Sequence, residues 1–255
     1  MTELAQVRSG RLARPLAQRY SITMKAPVTP ATTSFFARDV ADAYDRRNNA
    51  LTPISDNLHF LLGLVLAELP VDARVLCVGV GTGAEILSLA TAYPGWFFVG
   101  VDPSAEMLSV GRRRLEQAGL MHRCELIHGY VEDAPRAAFD AVVSLLVAHF
   151  IKSERRPEFY TAIYDRLKSG GRFASAEISC DLDSPEFPAM LEDWKKVQTL
   201  MGAAPQSLAN LAGMMREALG VLPPEETEAL WRAAGFMNPI AFFQAFMIRG
   251  WHAAK

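Results

Sequence analysis

The sequence predicts an α/β fold. It is a doubly wound sheet of mostly parallel strands, with helices ahead of the first strand, a helical insert after the fifth and two closing strands, one of them antiparallel. Three observations predict it. Residues 74–102 read as strand, glycine turn, helix and second strand. From Arg74 to Ile178 strand and helix patterns alternate, the signature of parallel strands joined by crossover helices. Residues 240–253 hold two apolar strands joined too closely for a crossover helix, so they include an antiparallel partner.

Residues 1–33 read as a flexible lead-in. Residues 1–24 carry Arg8, Arg11, Arg14 and Arg19 against one acid, Glu3, the composition of a transit peptide; we read them as a polar tail, or as an upstream start with Met24 as the true one. Pro27 and Pro30 continue the lead-in. The domain spans 34–255. Its first helix opens with Ser34 as N-cap and repeats Phe36, Val40 and Tyr44 at helical spacing. A second helix, over about 55–69, puts Leu58, Leu61, Leu62, Val65 and Leu66 on one face and ends at Pro70. Residues 34–70 are thus a helical cap.

The run from Val75 to Val80 is short, valine-rich and stopped by glycine, which favours a buried parallel strand over helix. Gly79, Gly81 and Gly83 then follow at every second position. Without side chains they let the backbone turn tightly and let a ligand lie against the main chain, while amides at the start of helix 84–93 can meet its polar groups. Asp102 ends the second strand 23 residues after Gly79, close to the roughly 20-residue interval at which a strand-tip acid reaches both hydroxyls of a ribose. The pair implies an adenosine-type ligand. Glycines alone would equally serve a tight strand-to-helix connection. The same letters fit the looser dinucleotide fingerprint, so a nicotinamide oxidoreductase stands as a rival.

Helix 104–117 starts with Ser104 as N-cap and Glu106 in its first turn, and Gly119 stops it. A strand over 124–128, a loop over 129–135, a strand over 139–145, a helix over 156–167, a turn over 168–171 and a fifth strand over 172–178 follow. Residues 181–223 break the alternation with two amphipathic helices, near 187–201 and 207–219. Their apolar faces carry Met190, Trp194, Met201, Leu208, Leu211, Met214 and Met215. Such stripes usually build core; methionine also adapts to irregular ligands, so an insert above the strand tips is a candidate substrate lid. Helix 224–234 and Gly235-Phe236 lead into the closing strands.

With half its residues apolar, about a fifth charged and a net charge of −2, the chain is an ordinary globular protein able to bury one substantial core. Arg46-Arg47, Arg112 to Arg114 and Arg155-Arg156 are too short and scattered to track a polyanion, so no nucleic-acid partner is expected. Cys77, Cys124 and Cys180 show no C-x-x-C spacing and fall in or beside strands, as reduced thiols in a cytoplasmic protein do. The apolar run 61–69 is too short to cross a bilayer and contains Glu68, so no membrane partner is expected either. A homodimer is the one assembly left open. No cluster of His, Cys and acids has metal-ligand spacing; His122, His128 and His252 have no evident partner.

Several pieces, in order, resemble the class I S-adenosylmethionine-dependent methyltransferases. They are Ala43-Tyr44-Asp45-Arg46, Val78-Gly79-x-Gly81-x-Gly83, Asp102-Pro103-Ser104, Glu132-Asp133-Ala134-Pro135, Phe139-Asp140-Ala141, Leu167-Lys168-Ser169-Gly170-Gly171, Gly235-Phe236 and the strand pair. The resemblance implies a seven-stranded sheet with a reversed last strand and S-adenosylmethionine as cofactor, which sets the nicotinamide reading aside. The layout is further similar to the carboxy-S-adenosylmethionine synthases of tRNA modification, but the tyrosine and arginine expected there for the extra carboxylate fall at Ser55 and Ala212. Two positions depart from the wider family: Cys77 replaces a carboxylate aimed at the methionine ammonium, and Tyr130 an aspartate beside the adenine.

The resemblance then implies roles. Backbone at Gly79 and Gly81 holds the methionine end and Asp102 the ribose, with Gly83 and Pro103 as further cofactor-binding residues. Met107 and Val131 flank the adenine, with Glu132 as a polar contact. Leu145 passes under the sulfonium, and Tyr44 closes the pocket. Methyl transfer from a sulfonium is an in-line displacement needing alignment, exclusion of water and sometimes proton removal. His149, near the fourth strand's tip, is the candidate general base, against a competing reading as a hydrogen-bonded structural histidine. The expected reaction is methyl transfer to a small apolar or aromatic metabolite. Its alternatives are carboxy-S-adenosylmethionine synthesis and cofactor binding without turnover.

Overall fold

The structure, a computed structural model, describes residues 49–136 and 139–255. The helix expected from Ser34, and Tyr44 on it, lie outside the described residues. Strands β1 (Arg74–Val78), β2 (Phe97–Asp102), β3 (Cys124–His128), β4 (Phe139–Leu145), β5 (Leu167–Ile178), β6 (Met237–Ala245) and β7 (Ile248–Ala254) form one sheet. Its order is β3-β2-β1-β4-β5-β7-β6. β1 through β5 pair in parallel, and β7 runs antiparallel to both β5 and β6. Chain direction across the sheet reverses between β1 and β4, and in open sheets of this kind ligands bind outside the strand tips at such a switch.

Alternation along β1 divides the interior. Val75 and Cys77 face α1 (Thr52–Val65), α2 (Ala84–Ala92) and α3 (Ala105–Gln117), packing with Leu62, Ile86, Leu89 and Leu115. Leu76 and Val78 face the opposite layer, α4 (Arg156–Arg166) and α8 (Pro224–Ala234), where the Tyr160 ring meets Phe173 at a tilt and the Trp231 ring meets both Phe173 and Phe236 at a tilt. Burying each such side chain stabilises by about 1.5–3 kcal/mol. The sheet is therefore covered on both faces, and its strand tips remain to receive a ligand.

The insert supplies a third cluster. α5 (Phe187–Leu200), α6 (Pro205–Ala209) and α7 (Leu211–Glu217) bury Phe187, Trp194, Val197, Leu211 and Met215 against Leu58 of α1 and Phe243, Met247 and Ile248 of the closing hairpin. Much of the apolar stripe is thus core. Leu145 and Leu146, at the tip of β4, also pack against this cluster, so the insert stands beside the switch point. Its return is pinned: Gly220 N–H donates to His149 O at 2.8 Å, and Ser179 Oγ donates to Leu222 O at 2.8 Å. A Cβ on Gly220 would stand 2.1 Å from Ile151 O, so the two segments touch through bare backbone.

Candidate active site

After β1 the chain turns through Gly79 at φ 68° and Gly81 at φ 51°, left-handed conformations that cost a side-chain-bearing residue strain. Gly79 and Val80 both donate to Val101 O of β2, at 2.8 and 3.1 Å, so the turn is tied to the neighbouring strand from its first residue. Asp102 organises the rest. Its Oδ2 accepts from Gly81 N–H and its Oδ1 from Ser104 N–H, each at 2.8 Å. Ser104 Oγ in turn accepts from Met107 N–H at 3.2 Å, the N-cap expected from sequence. Asp102 is 8% exposed, and burial raises its carboxyl above the ordinary range while the two amide bonds oppose the rise. Each oxygen keeps a further lone pair for a hydroxyl.

Met107 reaches over the turn, its methyl 3.2 Å from where a Cβ on Gly81 would stand. Val131 is buried in a short 3-10 turn after β3. That turn is built from beneath: Arg166, 3% exposed, donates to Glu132 O at 2.7 Å and to Ala134 O at 3.3 Å. Asp133 Oδ2 accepts from Tyr130 N–H at 2.8 Å. Glu132 and Tyr130 present their side chains to solvent above Val131. Pro103 O accepts from His128 Nε2 at 3.0 Å, which assigns that nitrogen the proton. Met107, Val131, Glu132, Pro103 and Asp102 thus come together on the β2–β3 side of the crevice.

On the β4 side, Leu145 is half-buried and Leu146 adopts φ 58°, a left-handed conformation worth about 1–3 kcal/mol of strain. This kink carries Val147 across the turn: its Cγ2 would lie 2.3 Å from a Cβ on Gly79. Cys77 is fully buried, and burial raises its thiol well above the usual range, so it is a small apolar side chain. His149 is 4% exposed and its Nδ1 accepts from Ile178 N–H at 3.3 Å, leaving Nε2 as the protonated nitrogen of a neutral ring. Burial and the neighbouring Arg156 push its pKa down to about 3. Those surroundings are structural, and they argue against the general-base role the sequence allowed.

Known proteins bear on this arrangement. A family described as methyltransferase domain matches residues 75–171, the stretch from β1 into β5. A demethylmenaquinone methyltransferase of Clavibacter sepedonicus is 31% identical over 218 residues, 82% of this chain and 84% of the relative. The chain belongs to the class I S-adenosylmethionine-dependent methyltransferases. A carboxy-S-adenosyl-L-methionine synthase of Campylobacter curvus is 25% identical over 206 residues, 80% of this chain and 87% of the relative. The solved structure of human N-acetylserotonin methyltransferase in complex with SAM shares the fold, with a TM-score of 0.62 at 16% identity over 90% of this chain; the chain spans 60% of that protein's length.

The methyltransferase therefore takes S-adenosylmethionine, and the donor set fits it. Bare backbone at Gly79 and Gly81 lets Val147 and Met107 lie against the turn where a Cβ would crowd them, and Asp102 is a buried acceptor suited to a diol. Among the described residues no group of three or more His, Cys, Asp and Glu could hold a metal ion. Sequence reasoning missed Val147, whose reach depends on the kink at Leu146, and Arg166, whose charge reads as a surface residue. It also missed Glu85, a buried acid in the first turn of α2.

His149→Asn keeps an acceptor near Nδ1 and is expected to leave turnover and its pH profile between 6 and 8 unchanged. A fall of about 10²-fold or more, the usual general-base contribution, would return the residue to the chemistry.

Proposed function

We propose that this methyltransferase acts on a small acceptor with an apolar or aromatic body, held between the insert and the tips of β4 and β5. The observation that carries the reading is the packing of Leu145 and Leu146 against the insert's cluster, which sets an apolar wall beside Val147 and the glycine turn. The Clavibacter relative is named for demethylmenaquinone, which favours an acceptor of this kind.

Bound S-adenosylmethionine supplies a methyl group already activated on a sulfonium. What the chain adds is alignment. In this reading Gly79, Gly81 and Gly83 hold the methionine end along bare backbone, and Asp102 with Pro103 fixes the ribose. Met107 and Val131 exclude water around the adenine, and Glu132 offers a polar contact at its edge. Leu145 floors the methyl. Positioning of this kind needs no side-chain base for an acceptor that is already nucleophilic.

The Campylobacter relative keeps carboxy-S-adenosylmethionine synthesis as a second reading. Its expected carboxylate partners are absent. Ser55 sits in the first turn of α1 with Oγ donating to Thr52 O, and Ala212 has no charge to offer. The nearest guanidinium on α7, Arg216, is held by Asp183 and Leu182 O and lies over the Phe187 ring. The test is incubation with S-adenosylmethionine and a panel of apolar ring acceptors including demethylmenaquinone, with prephenate in a parallel arm, read by mass spectrometry. A methylated ring product is expected. A carboxylated cofactor in the prephenate arm would overturn this reading.

A further inference from the structure

Three carboxylates are buried among the described residues, and two have evident partners. Asp102 accepts two backbone amides, and Glu177 is paired with Arg156. Glu85 has neither. It is 7% exposed, stands in the first turn of α2 directly after the glycine turn, and accepts a hydrogen bond from its own amide. No other described residue hydrogen-bonds or pairs its carboxylate. Three groups face it electrostatically: Asp102 from β2 and Cys77 from β1, and Arg114 from α3. Arg114 is engaged with Thr82, donating to Oγ1 at 2.9 Å and to the carbonyl at 3.4 Å. A buried carboxylate whose cationic neighbour, Arg114, spends its hydrogen bonds on Thr82 is costly unless a further cation meets it. The cofactor carries such a cation at its amino-acid end, and Gly83, the residue before α2, has no side chain to cap the helix's first amides.

We propose that Glu85 is the anionic partner of the methionine ammonium of S-adenosylmethionine, and that it takes over the role for which Cys77 has no charge. The inference rests on the cofactor lying across the glycine turn. It gives the helix start two complementary roles, with amides for the amino-acid carboxylate and Glu85 for the ammonium. In the ligand-free protein, burial and then the Asp102 charge push the Glu85 carboxyl up to about 8, against its own amide bond and Arg114. Docking a cation therefore expels a proton near neutral pH. The sign for stability follows: an acid whose folded pKa is raised loses stability as pH climbs from its unfolded value, about 4.5, through 8. Glu85→Gln removes that loss, so the ligand-free variant should melt no lower than wild type at pH 8.

Calorimetry with two probes tests the proposal. S-adenosylhomocysteine carries the α-ammonium; 5′-methylthioadenosine shares the adenosyl thioether and lacks the amino acid. Glu85→Gln is expected to weaken S-adenosylhomocysteine by about tenfold or more, the worth of one charge-assisted hydrogen bond, and to leave 5′-methylthioadenosine unchanged. Cys77→Asp added to Glu85→Gln should recover part of the loss. With wild-type protein alone, binding of S-adenosylhomocysteine at pH 7 should release a proton, read from two buffers of different ionisation enthalpy, and 5′-methylthioadenosine should release none. Equal affinity of wild type and Glu85→Gln for S-adenosylhomocysteine, equal losses for both probes, or no proton release would overturn the proposal. If wild type binds neither probe, the placement of the cofactor itself fails and this inference goes with it.

Discussion

Asp102→Ala is expected to weaken binding of S-adenosylmethionine by at least about tenfold. Two effects add. A two-point contact between a carboxylate and a ribose diol is charge-assisted, each bond worth about 1.5–3 kcal/mol, and tenfold needs only about 1.4. The substitution also removes the acceptor of Gly81 N–H and Ser104 N–H, so the turn itself loses the anchor that joins β1 to the start of α3. Asp102→Asn should be nearly as damaging. Both carboxylate oxygens accept backbone amides, and an Asn side chain would turn its NH2 toward one of those donors. Isothermal titration checks both variants; affinities equal to wild type would contradict the role given to Asp102.

The largest effect on stability is expected at the buried pair between α4 and β5. Arg156 and Glu177 side chains are 0% and 1% exposed with N and O 2.5 Å apart. Arg156 also donates to Tyr160 Oη at 2.9 Å and to Gly220 O at 2.6 Å, while Tyr160 Oη donates to Glu177 Oε1 at 3.2 Å. Burial raises the Glu177 carboxyl and the guanidinium opposes the rise. Removing one partner strands the other: Arg156→Met or Glu177→Leu should each cost about 3–5 kcal/mol, a fall in Tm on the order of 10 °C. The double substitution should recover most of it. Because Arg156 holds Gly220, where the insert returns, the single variants should disturb acceptor affinity more than cofactor affinity. Thermal melts and separate titrations read the two effects.

How much of this was legible in the sequence depended on whether the signal was local. β1, its glycine turn, Asp102 and the Ser104 cap were, because backbone chemistry at those positions demands particular residues. β3, β4 and α8 fall where hydrophobic pattern and turn residues place them. Boundaries went astray where a residue has two uses. The helix expected over 55–69 runs over Thr52–Val65, since Pro53 is tolerated in a first turn and the chain before Pro70 leaves helical geometry early. The expected helix 207–219 is two, Pro205–Ala209 and Leu211–Glu217, meeting at Asn210. The expected turn 168–171 loops out within a longer β5, whose pairing jumps from Phe139↔Leu167 to Ala141↔Arg172. The closing hairpin turns at Phe246 and Met247, with Phe246 at φ 53°, and neither residue is a turn signal.

The site divides in the same way. Glycines and Asp102 act through backbone and could be read from spacing. Val147 reaches Gly79 only because Leu146 is kinked, and Glu85 reads as a surface acid suited to a helix start until the packing of α2 buries it. His149 shows the reverse. Its position near a strand tip suggests chemistry, whereas its burial and its bond from Ile178 favour a place in the frame, which the His149→Asn variant tests.

The placement of the cofactor is tested most directly by a crystal structure of the protein soaked with S-adenosylhomocysteine. The account predicts ribose hydroxyls within hydrogen-bond distance of both Asp102 oxygens, the adenine between Met107 and Val131, and the homocysteine chain along Gly79 and Gly81. Density for the nucleoside anywhere outside that crevice, or a crevice closed by Met107 and Val147 with the ligand bound elsewhere, would contradict it.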